Sequence, residues 1–230
     1  MKNYILIASL LTLLFHLLLV SCSQDEDVYS CNPEINDWVK ENKTYIQSLS
    51  RAEWYTLDYN VSHASYIAFT PSQKVEFWKE KFEEVKLLDW TYEELAHIQE
   101  VEDYTIDNTQ YFREGNLSED ELDSIEIFFA KWLRLGEKKF GWTKQTGMAI
   151  VGTGFKMIDK EGNLLLPERN NDTMSIPVMT MKTEVDCNCN KKSLISCFPL
   201  GSCEDSECIE TWNGCGFLWV APCDGRCQGT

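Results

Sequence analysis

Between Cys31 and Phe140 apolar residues recur at steps of three and four, the spacing that gathers side chains on one face of an α-helix. Four runs start behind a capping box. In it a Ser or Thr side chain accepts from the amide three residues on, and a Glu or Gln reaches back. The boxes are Ser50…Glu53, Thr70…Gln73 with Pro71 at the first helical position, Thr91…Glu94 and Ser118…Glu121. Behind Thr70 the stripe is Val75, Trp78, Phe82, Val85 and Leu88; behind Thr91 it is Tyr92, Leu95, Ile98 and Val101. Behind Ser118 it is Leu122, Ile125, Phe128 or Phe129, Trp132 and Leu135, with Gly136 or Gly141 as the stop. An earlier helix carries Ile35, Trp38, Val39, Tyr45, Ile46 and Leu49. The expectation is a mainly α fold: an α-helical domain over 33–141, four or five helices packed on aromatic stripes.

The pattern changes over 142–186. Met148–Val151, Phe155–Ile158 and Leu164–Leu166 read as short strands, with Asp159–Asn163 as a turn between the last two. Gly147, Gly152 and Gly154 lack the Lys-Ser/Thr partner of a phosphate loop, so they read as glycines in strands, there for bulges or close packing. Pro167–Asp186 is polar, then semi-apolar around Ile176–Met181, and reads as a linker that adds a strand at most.

The first 21 residues read as an export leader: Lys2, then Tyr4–Val20, apolar apart from Ser9, Thr12 and His16. Leu19-Val20-Ser21-Cys22 resembles a bacterial lipobox, which implies lipidation of Cys22 and cleavage before it. A spanning helix is the rival, and it leaves the position of Cys22 unexplained. Residues 22–32 form an acidic tether. Its Ser23-Gln24-Asp25-Glu26-Asp27 looks like the signal that sends some lipoproteins to the outer face of the outer membrane. A surface-exposed outer-membrane lipoprotein is the expectation, its membrane contact made through the N-terminal lipid.

Charge narrows the partners. The chain has 21 Lys and Arg against 37 Asp and Glu, net −16. From Cys187 onward lie three basic residues (Lys191, Lys192, Arg226) and five acidic ones (Glu204, Asp205, Glu207, Glu210, Asp224), so most of the excess sits before it. Such a surface repels nucleic acid and anionic headgroups.

Eight of the ten cysteines fall within 187–230: Cys187, Cys189, Cys197, Cys203, Cys208, Cys215, Cys223 and Cys227. In an exported chain this density reads as a disulfide-stapled module, because so short a segment cannot bury enough apolar surface to fold unaided. Connectivity stays open, and so does the state of Cys31. Zinc is the rival, needing thiolates alone at unusual spacing. The eight-cysteine spacing, with Gly214-Cys215-Gly216-x-x-Trp219-Val220, resembles the fulvocin C-related bacteriocin family of exported proteins. Phe69–Lys74 leading to Trp78-Lys79-Glu80-Lys81 is a softer match to the helical region of its longer members. The resemblance implies a bridged scaffold and antagonism of related bacteria at the target-cell envelope, by a tail presented on the surface or released from it.

Two other functions are weighed against that one. Trp212, Phe217 and Trp219 could form an exposed aromatic patch that binds a surface partner, or else they make the module's own small core. Hydrolysis lacks any nucleophile–base pair or metal motif. His97 with Glu100 is the one H-x-x-E step on a helix, and it reads as a surface or half-buried histidine rather than a metal ligand. No cofactor is implied, and the protein is not expected to be an enzyme.

Overall fold

The computed structural model describes residues 27–30, 32–167, 188–195, 197, 201–208 and 210–228. The leader, Cys22 and most of the tether, Cys31, the 168–186 linker and Cys187 lie outside the described residues. Within them the protein is mainly helical, with three two-stranded sheets and three disulfides near the C-terminus.

The helices are α1 (Pro33–Glu41), α2 (Lys43–Ile46), α3 (Arg51–Trp54), α4 (Tyr59–Ile67), α5 (Pro71–Lys86), α6 (Tyr92–Asp107), α7 (Glu119–Phe140) and α8 (Lys144–Val151), with a 3₁₀ turn at Thr109–Phe112. All four capping boxes are made, at the starts of α3, α5, α6 and α7. Helix α7 carries Glu119, Asp120 and Glu121 in its first turn and Lys138 and Lys139 in its last, which suits the helix dipole at both ends. It stops at Gly141, whose left-handed φ of 73° lets the chain turn back. The expected first helix is two, because Asn42 breaks it: its side chain and its backbone N–H both donate to the Trp38 carbonyl.

The stripes are mostly buried, with exceptions that have a cause. Tyr92 is 86% exposed, since as the first residue of α6 it precedes the face set by Glu94, His97, Ile98 and Val101. Tyr45 and Leu135 also point outward. Helix α5 buries one wide face, on which Lys74, Phe77 and Lys81 lie inside together with Trp78, Phe82 and Val85.

Met148–Val151 is helical, not a strand: it ends α8, whose start is capped by the Thr143 hydroxyl accepting from the Thr146 amide. Residues 146–151 are all buried, so the helix has no polar face and its sequence shows the unbroken apolar run of a buried strand. The hairpin after it forms as expected, with β1 (Lys156–Met157) antiparallel to β2 (Leu164–Leu165). The glycines pack closely: a Cβ at Gly147 would strike Leu133, at Gly152 Ile195, and at Gly154 the rings of Phe77 and Trp219.

The C-terminal part has β3 (Ser202–Asp205) antiparallel to β6 (Gly225–Gln228), and β4 (Thr211–Cys215) antiparallel to β5 (Ala221–Cys223). Apart from Cys215 and Cys223 with Cys208, which cluster on their own, its buried residues do not make a separate apolar core. Ile195, Phe217, Leu218, Trp219 and Val220 join one contiguous cluster with the helices. Bridges and a shared interior together hold the tail.

Candidate functional site

The tail meets the helical body through a knuckle at residues 214–219. Gly214 (φ 113°) and Gly216 (φ 69°) turn the chain in a way other residues resist. A Cβ on Gly214 would press into Ile67 and His63. Leu218 and Trp219 also take positive φ, 53° each, a strained conformation for side-chain-bearing residues that surrounding contacts must hold. The Cys215–Cys223 disulfide closes the knuckle's base.

Those contacts are extensive. The Trp219 ring sits among Trp54, His63, Tyr66, Phe77, Trp78 and Phe155, with centroids 4.9–6.4 Å away. His63 Nε2 donates to the Gly214 carbonyl at 2.8 Å, and the Tyr66 hydroxyl to that of Leu218 at 3.2 Å. Trp78 Nε1 in turn donates to the Tyr66 oxygen at 2.9 Å. Phe217 stacks on Phe129 at 4.6 Å. With Phe217 1% and Trp219 6% exposed, neither offers a ring to a partner, and only Trp212 of the three proposed aromatics is half-exposed. The core that Phe217 and Trp219 enter belongs to the helices rather than to the tail alone.

Beside the knuckle lies a crevice between β4, α5 and the segment after α6, lined by Lys74, Tyr111, Arg113, Gly115, Trp212 and Asn213 among others. About 190 Å³ of space free of atoms lies among these residues, part of it open solvent, and it is too thin to seat a water molecule. Lys74 forms its floor. The ammonium donates to the Ile67 carbonyl at the end of α4, 3.1 Å away, and lies 4.2 Å from the Trp212 ring centroid. Burial drives its pKa down to about 7. Trp212 Nε1 and both polar atoms of the Asn213 side chain are buried with no hydrogen-bond partner. Among the described residues only Arg51 Nη1 and Ser65 Oγ share that condition. Buried polar groups are normally paired, so three orphans on adjacent residues at one crevice call for an explanation.

The other buried cations have structural work. Arg51 binds Glu84 through two nitrogens at 3.0 Å and donates to the Gly154 carbonyl at 2.7 Å. Lys81 donates to the Phe155 carbonyl, and burial followed by the nearby Arg51 charge holds its pKa well below the ordinary lysine value. Both pin the 154–155 turn against α5, and neither reaches solvent.

His97 is likewise a strut. Its Nδ1 meets Glu100 at 2.9 Å and its Nε2 the Trp132 carbonyl at 3.0 Å, while Trp132 Nε1 donates back to the His97 carbonyl. Both ring nitrogens are committed, and the imidazole is buried rather than on the surface. In the tail, disulfides join Cys189 to Cys203, Cys197 to Cys227 and Cys215 to Cys223, and Cys208 is disulfide-bonded as well. The sulfurs of Cys189, Cys197 and Cys203 lie within 4.8 Å of one another, but as disulfides they offer no thiolate to a metal.

The sequence does not single out Lys74 or Asn213 as site residues. The signal that could have found Lys74 is its step of four to Trp78, which the Thr70 box phases inward. Asn213 carries none. No family model, curated protein or solved structure matches this chain.

Proposed function

We propose that the protein is an exported, lipid-anchored binding protein without chemistry of its own, in which the helical body and stapled tail act as one recognition unit at the cell surface. The observation that carries this reading is the set of orphaned polar atoms at Trp212 and Asn213, where tail and body meet. Orphans at such a junction are costly unless a bound group completes them. A thermal-shift screen of the chain from Cys22 onward, against small acids, amides and sugars, tests it. A binder raises the melting temperature with concentration in the parent and not in Asn213→Leu. If nothing in the screen behaves so, the binding reading fails. Anchoring is checked separately: intact mass of membrane-extracted protein should show acyl chains on Cys22, and Cys22→Ser should be recovered soluble.

Antagonism of related bacteria is the second reading, favoured by the Gly214-Cys215-Gly216-x-x-Trp219-Val220 element and the cysteine spacing. In the structure that element is seated in the helices, so a released tail would first have to withdraw Trp219 from its socket. Mass spectrometry of culture medium for a fragment starting near Asp186, with growth inhibition by that fragment, would support it. Finding only the intact chain and no inhibition would sink it.

A further inference from the structure

We propose that the crevice beside the knuckle binds a small carboxylate group, held by the Lys74 ammonium, the Trp212 indole N–H and the Asn213 carboxamide. This rests on reading the junction as a binding site, and adds the chemistry of what enters it.

Donors dominate the site. The indole N–H can only donate, the carboxamide nitrogen donates, and the ammonium uses one hydrogen on the Ile67 carbonyl and turns another toward the Trp212 face. The Asn213 oxygen is the one unpartnered acceptor against two unpartnered donors. Asn213 is 4% exposed, so its amide is no casual surface group. An acceptor-rich ligand satisfies these donors, whereas the Asn213 oxygen needs a donor that a carboxylate does not supply.

Charge points the same way. The chain is strongly acidic overall, yet the residues lining this crevice include Lys74 and Arg113, with Glu114 outside the lining but close enough to favour the Lys74 charge. Arg113 is held at the rim by Glu121, both contacts 2.6 Å. Burial costs the Lys74 ammonium much of its protonation, and an anion beside it would restore the charge. The space is closed to a ligand as it stands, so entry requires the half-exposed Trp212 ring to swing aside.

The test is a titration of the oxidised, isotope-labelled chain from Cys22 onward with sodium acetate, followed by the Trp212 indole and Asn213 side-chain NMR signals. Sodium chloride at equal ionic strength and neutral acetamide are the comparison arms. Acetate should shift both signals saturably, chloride should not, and Asn213→Leu should weaken acetate binding roughly tenfold or more, the loss expected for hydrogen bonds to a charged group. Trp212→Phe keeps a six-membered ring near Lys74 and deletes the five-membered half of the indole with its unpaired N–H, so its melting temperature is measured beside its acetate affinity. It should fold at least as well as the parent while binding acetate more weakly, which separates a site defect from a folding defect. Saturation by acetamide but not acetate would overturn the carboxylate assignment and leave the junction a binding site. No saturable shift with either, or equal shifts with chloride, would overturn both.

Discussion

Lys74 is placed where an ammonium ion is hard to keep: beneath Trp212 and Tyr66, hydrogen-bonded to one carbonyl, with the Glu114 charge offsetting only part of the cost of burial. Its pKa falls to about 7 in the folded protein, against roughly 10.4 for an unfolded lysine. Between those values the unfolded chain binds more protons, so this residue's contribution to stability improves as pH rises. At and below pH 7 it carries a penalty of about 3–5 kcal/mol relative to strongly alkaline solution. Lys74→Met should therefore be more stable than the parent near pH 6, with the advantage shrinking steadily toward pH 10. Urea midpoints of the two proteins across that range check it, since other titrations are common to both and cancel in the difference. Glu94 behaves in the opposite sense. Burial opposes its charge, but the Thr91 amide, the Trp142 indole and Lys160 outweigh that and hold its pKa near 2. Its stabilisation is present above pH 4.5 and lost as pH falls toward 2. Glu94→Gln should flatten the parent's acid-induced loss of stability over that window, as followed by far-UV circular dichroism.

At the level of elements, the capping boxes were the most legible feature of the sequence, because the cap is local chemistry between residues three apart. Helix α8 was not legible, because burial on every side erases the periodicity that separates helix from strand. Helix α4 escaped for the same reason: Val61, Ser62, Ala64, Ser65, Tyr66 and Ile67 are all inside. The crevice was invisible too, since it joins residues of α5 to residues of β4 that no local pattern relates. The Gly-Cys-Gly…Trp-Val element stood out, but its role as a wedge depended on a socket distant in sequence. That wedge is where truncation should cost most. Trp219→Ala removes the ring that six others surround and should destabilise by about 3–5 kcal/mol. Gly154→Ala should cost about 1–3 kcal/mol by driving a methyl into the Phe77 and Trp219 rings. Urea denaturation of each variant measures both, and a change below about 0.5 kcal/mol for Trp219→Ala would mean the socket does not hold it.

For the molecule as a whole, a shared interior implies shared unfolding. Tryptophan fluorescence, which reports the junction, and far-UV circular dichroism, which reports the helices, should give coincident urea transitions for the oxidised protein. Removing the Cys215–Cys223 bridge as a Cys→Ala pair releases a short loop and should cost about 2–3 kcal/mol. The midpoint should shift by both probes together. A tail that melted first, leaving the helical signal in place, would show that the two parts are held only by sulfur.

The seat for Trp219 is built from residues 54–78 and 155, while the bond from His63 to Gly214 spans 151 positions of chain. A copy of the chain that lacks Trp219 would leave that aromatic hollow open to chaperones and proteases, and it should be found in aggregates or degraded.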